Sequence, residues 1–126
     1  MLCQFAPPFY SFLKNLKITL GKKSKFSQIY RKAFVSKQVF SGIVKGKVPL
    51  KDTVLKFAFA FGTSVEDAEY LLKCAGYSFG ICVKRDMLLK SCFEQGITDI
   101  LEINEILKRE NEKPLLKNKK IVQSQF

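Results

Sequence analysis

The chain reads as an all-α protein, a compact bundle of about six to seven helices, and three observations predict it. Apolar residues recur at three- and four-residue spacing along most of the 126 residues, while strand alternation is nowhere sustained. Glycines at 21, 46, 62, 76 and 96 punctuate these runs, with Ser24, Ser36 and Ser64 ahead of others, the usual stop and start signals of helices. Hydrophobic residues make up 47% of the chain, twelve of them Phe, which favours a packed globule over disorder. Residues 1–116 are expected to form one domain, with residues 117–126 as a flexible basic tail.

Residues 1–8 form an irregular lead in which Pro7-Pro8 set the start of the first helix. Ser11 to Leu20 then places Phe12, Leu13, Leu16 and Leu20 on one face, with Lys14 and Lys17 turned away. After Gly21, Lys22-Lys23-Ser24-Lys25 is a basic loop, and Ser24 is a candidate cap for a helix from Phe26 to Ala33. Ile29 and Ala33 face inward there, Arg31 and Lys32 outward. Ser36 caps the next helix, which Gly46 stops. Of its apolar residues Val39, Phe40, Ile43 and Val44, the inward pair is Phe40 and Ile43, leaving Lys37, Gln38, Ser41 and Lys45 outside. Gly42, in mid-helix, costs about 1 kcal/mol against Ala. Either another backbone of the chain or a binding partner approaches closely there.

Lys51 to Phe61 is strongly apolar and is expected to be the central buried helix. Its aromatics at 57, 59 and 61 cannot share one side, so some must meet the C-terminal helices or a second subunit. Ser64 caps a helix with Val65, Ala68, Leu71 and Leu72 inside and Glu66, Asp67 and Glu69 outside, and acids in the first turn suit the positive helix end. Ala75-Gly76-Tyr77 ends it, and residues 78–83 read as an apolar loop folded over the core. A helix from Lys84 to Gln95 would bury Met87, Leu88 and Cys92, with Phe93 as a further candidate. The last helix starts near Thr98 and carries Ile100, Leu101, Ile103, Ile106 and Leu107.

Charge is one-sided. Residues 1–63 hold twelve Lys/Arg against one acid, a net +11, and residues 64–126 hold ten against ten. A polyanion partner is the natural reading, with lysine-aided solubility as the alternative. The chain has no His and no CxxC pair among Cys3, Cys74, Cys82 and Cys92, so a familiar zinc site is not expected and no cofactor is implied. Free thiols point to a reducing cytoplasm. A secretory signal is not expected, because the lysines follow the first apolar residues and Pro7-Pro8 interrupts them, and no uncharged run is long enough to span a bilayer. Without His the usual general base is missing, and the carboxylates, Asp86 and Glu94 among them, read as solvated outer faces. An enzyme is not expected.

Ser36-Lys37-Gln38, Ser41, Gly46-Lys47, Pro49, Asp52-Thr53, Leu55-Lys56, Ala58, Ala60 and Gly62 to Asp67 resemble the phage-repressor-like (lambda-repressor-like) helix-turn-helix family over roughly residues 24–73. Ile29 to Ala33, Phe40-Ser41, Ala75 to Tyr77, Gly96-Ile97, Asp99-Ile100 and Glu102 to Glu105 are similar to the helical domain appended to some bacterial macro-domain proteins, over roughly 26–116. The resemblance implies a repressor-like helix-turn-helix core with extra C-terminal helices. It gives Lys37, Gln38 and Ser41 base-reading positions and Phe26–Ala33 the scaffold role. Lys22, Lys23, Lys25, Lys45 and Lys47 would meet phosphates, and the outward Arg31 and Lys32 join them as candidate nucleic-acid-binding residues. The chain departs from the family at Tyr30, where a small residue is usual, at Phe34, where the turn often has Gly, and at Gly42, which repressors often give a reading side chain. The expected function is a sequence-specific duplex-DNA-binding regulator of the repressor type, as a monomer or homodimer. The rival is a phage-encoded, anti-CRISPR-type inhibitor that docks on a protein or ribonucleoprotein through Phe26, Tyr30, Phe34 and the lysines. A third reading is an adaptor module whose partner is another protein.

Overall fold

In the computed structural model, residues 9–19, 21 and 25–116 are described. They form seven helices: α1 (Phe9–Thr19), α2 (Phe26–Lys32), α3 (Lys37–Val44), α4 (Lys51–Phe61), α5 (Val65–Cys74), α6 (Lys84–Gln95) and α7 (Ile100–Arg109). No strand occurs among the described residues, and no helix there is long and apolar enough to cross a membrane.

The centre is α4, which packs against α2, α5 and α7. Its near-continuous apolar run leaves every residue from Val54 to Phe61 except Lys56 buried. The aromatics that could not share one face are divided between two groups of neighbours. Phe57 meets Phe9 of α1 and Phe40 of α3, each with ring centroids 6.2 Å apart, while Phe59 stacks on Phe93 of α6 at 3.9 Å. The added C-terminal helices therefore supply the partner, without a second subunit.

Helix starts follow local chemistry. The hydroxyls of Ser36 and Ser64 accept from the Val39 and Asp67 amides, and the Asp99 carboxylate accepts from the Leu101 amide. The cap of α2 falls on Lys25 rather than Ser24, and Gln28 Oε1 accepts from the Lys25 amide at 3.2 Å. The last helix correspondingly begins at Ile100, not Thr98, and α1 begins at Phe9, two residues ahead of Ser11. Leu20, Ser24 and the proposed tail at 117–126 lie outside the described residues.

Helix ends are more uniform. All six of α2 to α7 close with the same two hydrogen bonds, in which consecutive amides reach back three and five residues, as in Phe34 N to Arg31 O and Val35 N to Tyr30 O. The left-handed residue this motif requires is Gly46, Gly62, Gly76, Gly96 and Asn111 at five ends. At the end of α2 it is Phe34, with φ of 59°.

The two halves of the chain are joined by ion pairs at the starts of α4 and α6. Lys51 Nζ lies 2.6 Å from Asp86 Oδ2, and Arg85 forms a two-pronged pair with Asp52 at 3.0 and 3.1 Å. Asp86 also accepts from the Gly80 amide at 2.7 Å and is only 3% exposed, so it does not belong to a solvated face. A Cβ at position 80 would stand 2.5 Å from Val83 Cγ2, so glycine is what lets this loop reach the carboxylate. Tyr77 donates its hydroxyl to Pro49 O at 2.9 Å, tying down the loop ahead of α4. Downstream of α7, Asn104 Oδ1 accepts from the amides of Leu115 and Leu116, which seats Leu115 in the core.

Three core assignments are corrected. Met87 is 58% exposed, and Leu89 fills the interior of α6 in its place. Ile81 is 89% exposed, so the 78–83 loop covers the core through Phe79 alone, which packs on Phe93. Leu101 is exposed, because the inward stripe of α7 runs through Ile100, Ile103, Asn104 and Leu107.

Candidate nucleic-acid interface

The outward face of α3 is fixed from beneath by aromatic packing. Phe40 meets Tyr10, Phe26 and Tyr30 at centroid distances of 5.9, 5.2 and 4.9 Å, and Ile43 is buried beside it. Tyr30 and Phe26, which could have been docking anchors, are thus half-buried wedges that set how α2 meets α3. Lys17, expected to turn away from the core, lies with Nζ 5.7 Å from the centroid of the Phe26 ring.

With Phe40 and Ile43 turned inward, the helical repeat brings Lys37, Gln38, Ser41, Gly42 and Lys45 to one shallow depression of about 470 Å³. The aliphatic part of Lys47 borders it, with Cδ 3.5 Å from the point a Cβ on Gly42 would occupy. Arg31 and Lys32 are exposed on the last turn of α2, one short turn ahead of α3. Lys25 is exposed at the other end of α2, about 9 Å away at 1.5 Å per residue. Lys22 and Lys23 lie outside the described residues. None of Lys25, Arg31, Lys32, Lys37, Lys45 and Lys47 pairs with an acid among the described residues, whereas Lys51, Lys84, Arg85, Lys90 and Lys108 all do. The ion pairs formed among the described residues draw on α4, α6 and α7 and the acids Asp52, Glu69, Asp86, Glu105 and Glu110, none of them on α3.

Of the two readings of Gly42, close packing against another backbone of the chain is not what the structure shows. No other backbone comes near it, and an added Cβ would make only ordinary contact with Lys47. Its absent side chain leaves the depression open instead. Gly42→Ala is therefore expected to stabilise the protein by about 1 kcal/mol, read as a raised denaturation midpoint. A lowered midpoint would mean the position is packed after all.

Phe34 is the residue whose left-handed backbone its sequence position did not disclose. It is 48% exposed, and no aromatic ring among the described residues pairs with it. A bulky residue in the left-handed region carries a steric cost of roughly 1–2 kcal/mol. The one available signal was a Phe where the resemblance expects Gly. Val39 and Val44 add exposed apolar surface at the flanks of the α3 face.

The remaining surface is chemically quieter. A larger groove of about 820 Å³ between α5, the 78–83 loop and α6 carries both signs of charge, with Glu69 and Glu94 opposed by Lys73 and Lys90. Burial pushes the Cys74 and Cys92 thiols up from their ordinary value, which disfavours the nucleophilic thiolate. Among the described residues no three of Cys, Asp and Glu are grouped to hold a metal ion. Comparison of the chain with models of known families, with curated proteins and with solved structures finds no match.

Proposed function

We propose that the protein is a sequence-specific DNA-binding regulator of the helix-turn-helix type and not an enzyme. The observation that carries this reading is the face of α3, where Lys37, Gln38, Ser41, Lys45 and Lys47 surround an open depression and none of the three lysines pairs with an acid among the described residues. Lysine and glutamine suit guanine and adenine edges in the major groove, and Ser41 can bond either. Lys45, Lys47, Arg31, Lys32 and Lys25 supply phosphate contacts, which set register and orientation without reading sequence. Val39 and Val44 at the rim suit thymine methyl groups. A homodimer would match a palindromic site with half-sites one helical turn apart.

Selection from a library of randomised duplexes at low salt tests this directly. Enrichment of one motif over successive rounds is the expected result, and retention of duplex without any enrichment would remove the claim of specificity. The second reading, an inhibitor that docks on a nucleic-acid-handling protein or ribonucleoprotein, is favoured by the apolar side chains exposed among the lysines, Phe34, Val39 and Val44. That reading expects no retention of bare duplex at any salt concentration.

A further inference from the structure

The same helix-ending motif occurs six times in this protein, and its left-handed position is filled by glycine four times and by asparagine once. Only the turn between α2 and α3 departs, with Phe34 at φ 59°. Local folding gives no reason for the exception. The residue after it, Val35, is the buried one of the turn, Tyr30 packs on Phe40, and no aromatic ring among the described residues pairs with Phe34. About half of Phe34 is open to solvent, and an exposed aromatic is a second local disadvantage. A residue that is unfavourable on both counts points to use by a partner.

Its neighbours indicate the partner's chemistry. Arg31 and Lys32 immediately precede the turn and Lys37 follows it, all exposed and none paired with an acid among the described residues. An aromatic face set among unneutralised cations is the combination that holds an unpaired nucleobase, the ring stacking on the base while the cations meet flanking phosphates. We infer that Phe34 is a base-stacking residue, placed at the entrance of the α3 face to take an unstacked or unpaired base at the edge of the bound duplex. The inference rests on the DNA-binding reading above and adds to it a preference for locally opened or kinked DNA.

The test measures binding of wild type, Phe34→Gly and Phe34→Trp by fluorescence anisotropy. The probes are one labelled duplex and the same duplex carrying a single unpaired base. Phe34→Gly should raise the melting temperature, since it relieves the left-handed strain, so weaker binding in that variant cannot be put down to misfolding. It should lose roughly tenfold or more in affinity for the unpaired-base probe while changing little on the intact duplex. The chain contains no tryptophan, so Phe34→Trp supplies a single reporter whose emission should be quenched as the base stacks. Equal affinities of wild type and Phe34→Gly on both probes would overturn the stacking role and leave the DNA-binding reading standing. That pattern is also what an apolar pocket on a protein partner would produce. No binding of wild type to either probe at low salt would overturn both.

Discussion

Affinity of the protein for its selected duplex is expected to fall by about five-hundredfold between 50 and 200 mM salt. The magnitude follows from counting cations. The five assigned to phosphates, Lys25, Arg31, Lys32, Lys45 and Lys47, are exposed and unpaired among the described residues, and each that meets a phosphate contributes about −0.9 to the slope of log affinity against log salt. Lys37→Glu should abolish discrimination between the selected site and a scrambled one, because a good side-chain pair with a base edge is worth roughly 1–3 kcal/mol. Helix content should be unchanged, since Lys37 is exposed and has no partner to lose among the described residues. Lys73→Glu is the matching control on α5, where a base-for-acid change should leave the specificity intact and the salt slope nearly so. A flat salt dependence, or a Lys37→Glu protein that still prefers the selected site, would remove α3 from the proposed interface.

What could be read in advance divides along the range of the interactions involved. Helix positions were legible because they are set within a turn or two: Ser36 and Ser64 cap as their hydroxyls predict, and Lys84–Gln95 forms the helix its glycine boundary implies. The inward pair of α3, Phe40 and Ile43, follows from periodicity alone, and with it the outward set Lys37, Gln38, Ser41 and Lys45. The misassignments sit where a distant element decides. In α6, Met87 and Leu89 are both apolar and two residues apart, so they point to different sides. Only the position of α5 and α7 selects Leu89 for the interior. Gly42 was ambiguous for the same reason, as its neighbour could be any segment until Lys47 was found alone beside it. Phe34 was recognised as bulky for its place, but its left-handed backbone depends on the two hydrogen bonds that close α2.

Asp86 shows the same limit with an energetic consequence. On sequence grounds it belongs with the solvated carboxylates, yet Gly80 and Lys51 enclose it. The pair is asymmetric: the Lys51 side chain keeps 29% of its surface in water, while that of Asp86 keeps 4%. Removing the lysine should therefore be worse than removing the acid. Lys51→Met leaves a buried carboxylate with only the Gly80 amide to hold it, and is expected to cost about 3–5 kcal/mol, the range for breaking a buried pair from one side. Asp86→Ala frees an ammonium that can turn to solvent and one loop amide, and should cost less, about 1–3 kcal/mol. The double variant Lys51→Met/Asp86→Ala should recover part of the Lys51→Met loss, because no unpaired charge is left inside. Urea unfolding of the four proteins measures all three differences. If Lys51→Met proves no worse than Asp86→Ala, the contact contributes as a surface pair does, and the joint between the starts of α4 and α6 is held by Arg85 and Asp52 instead.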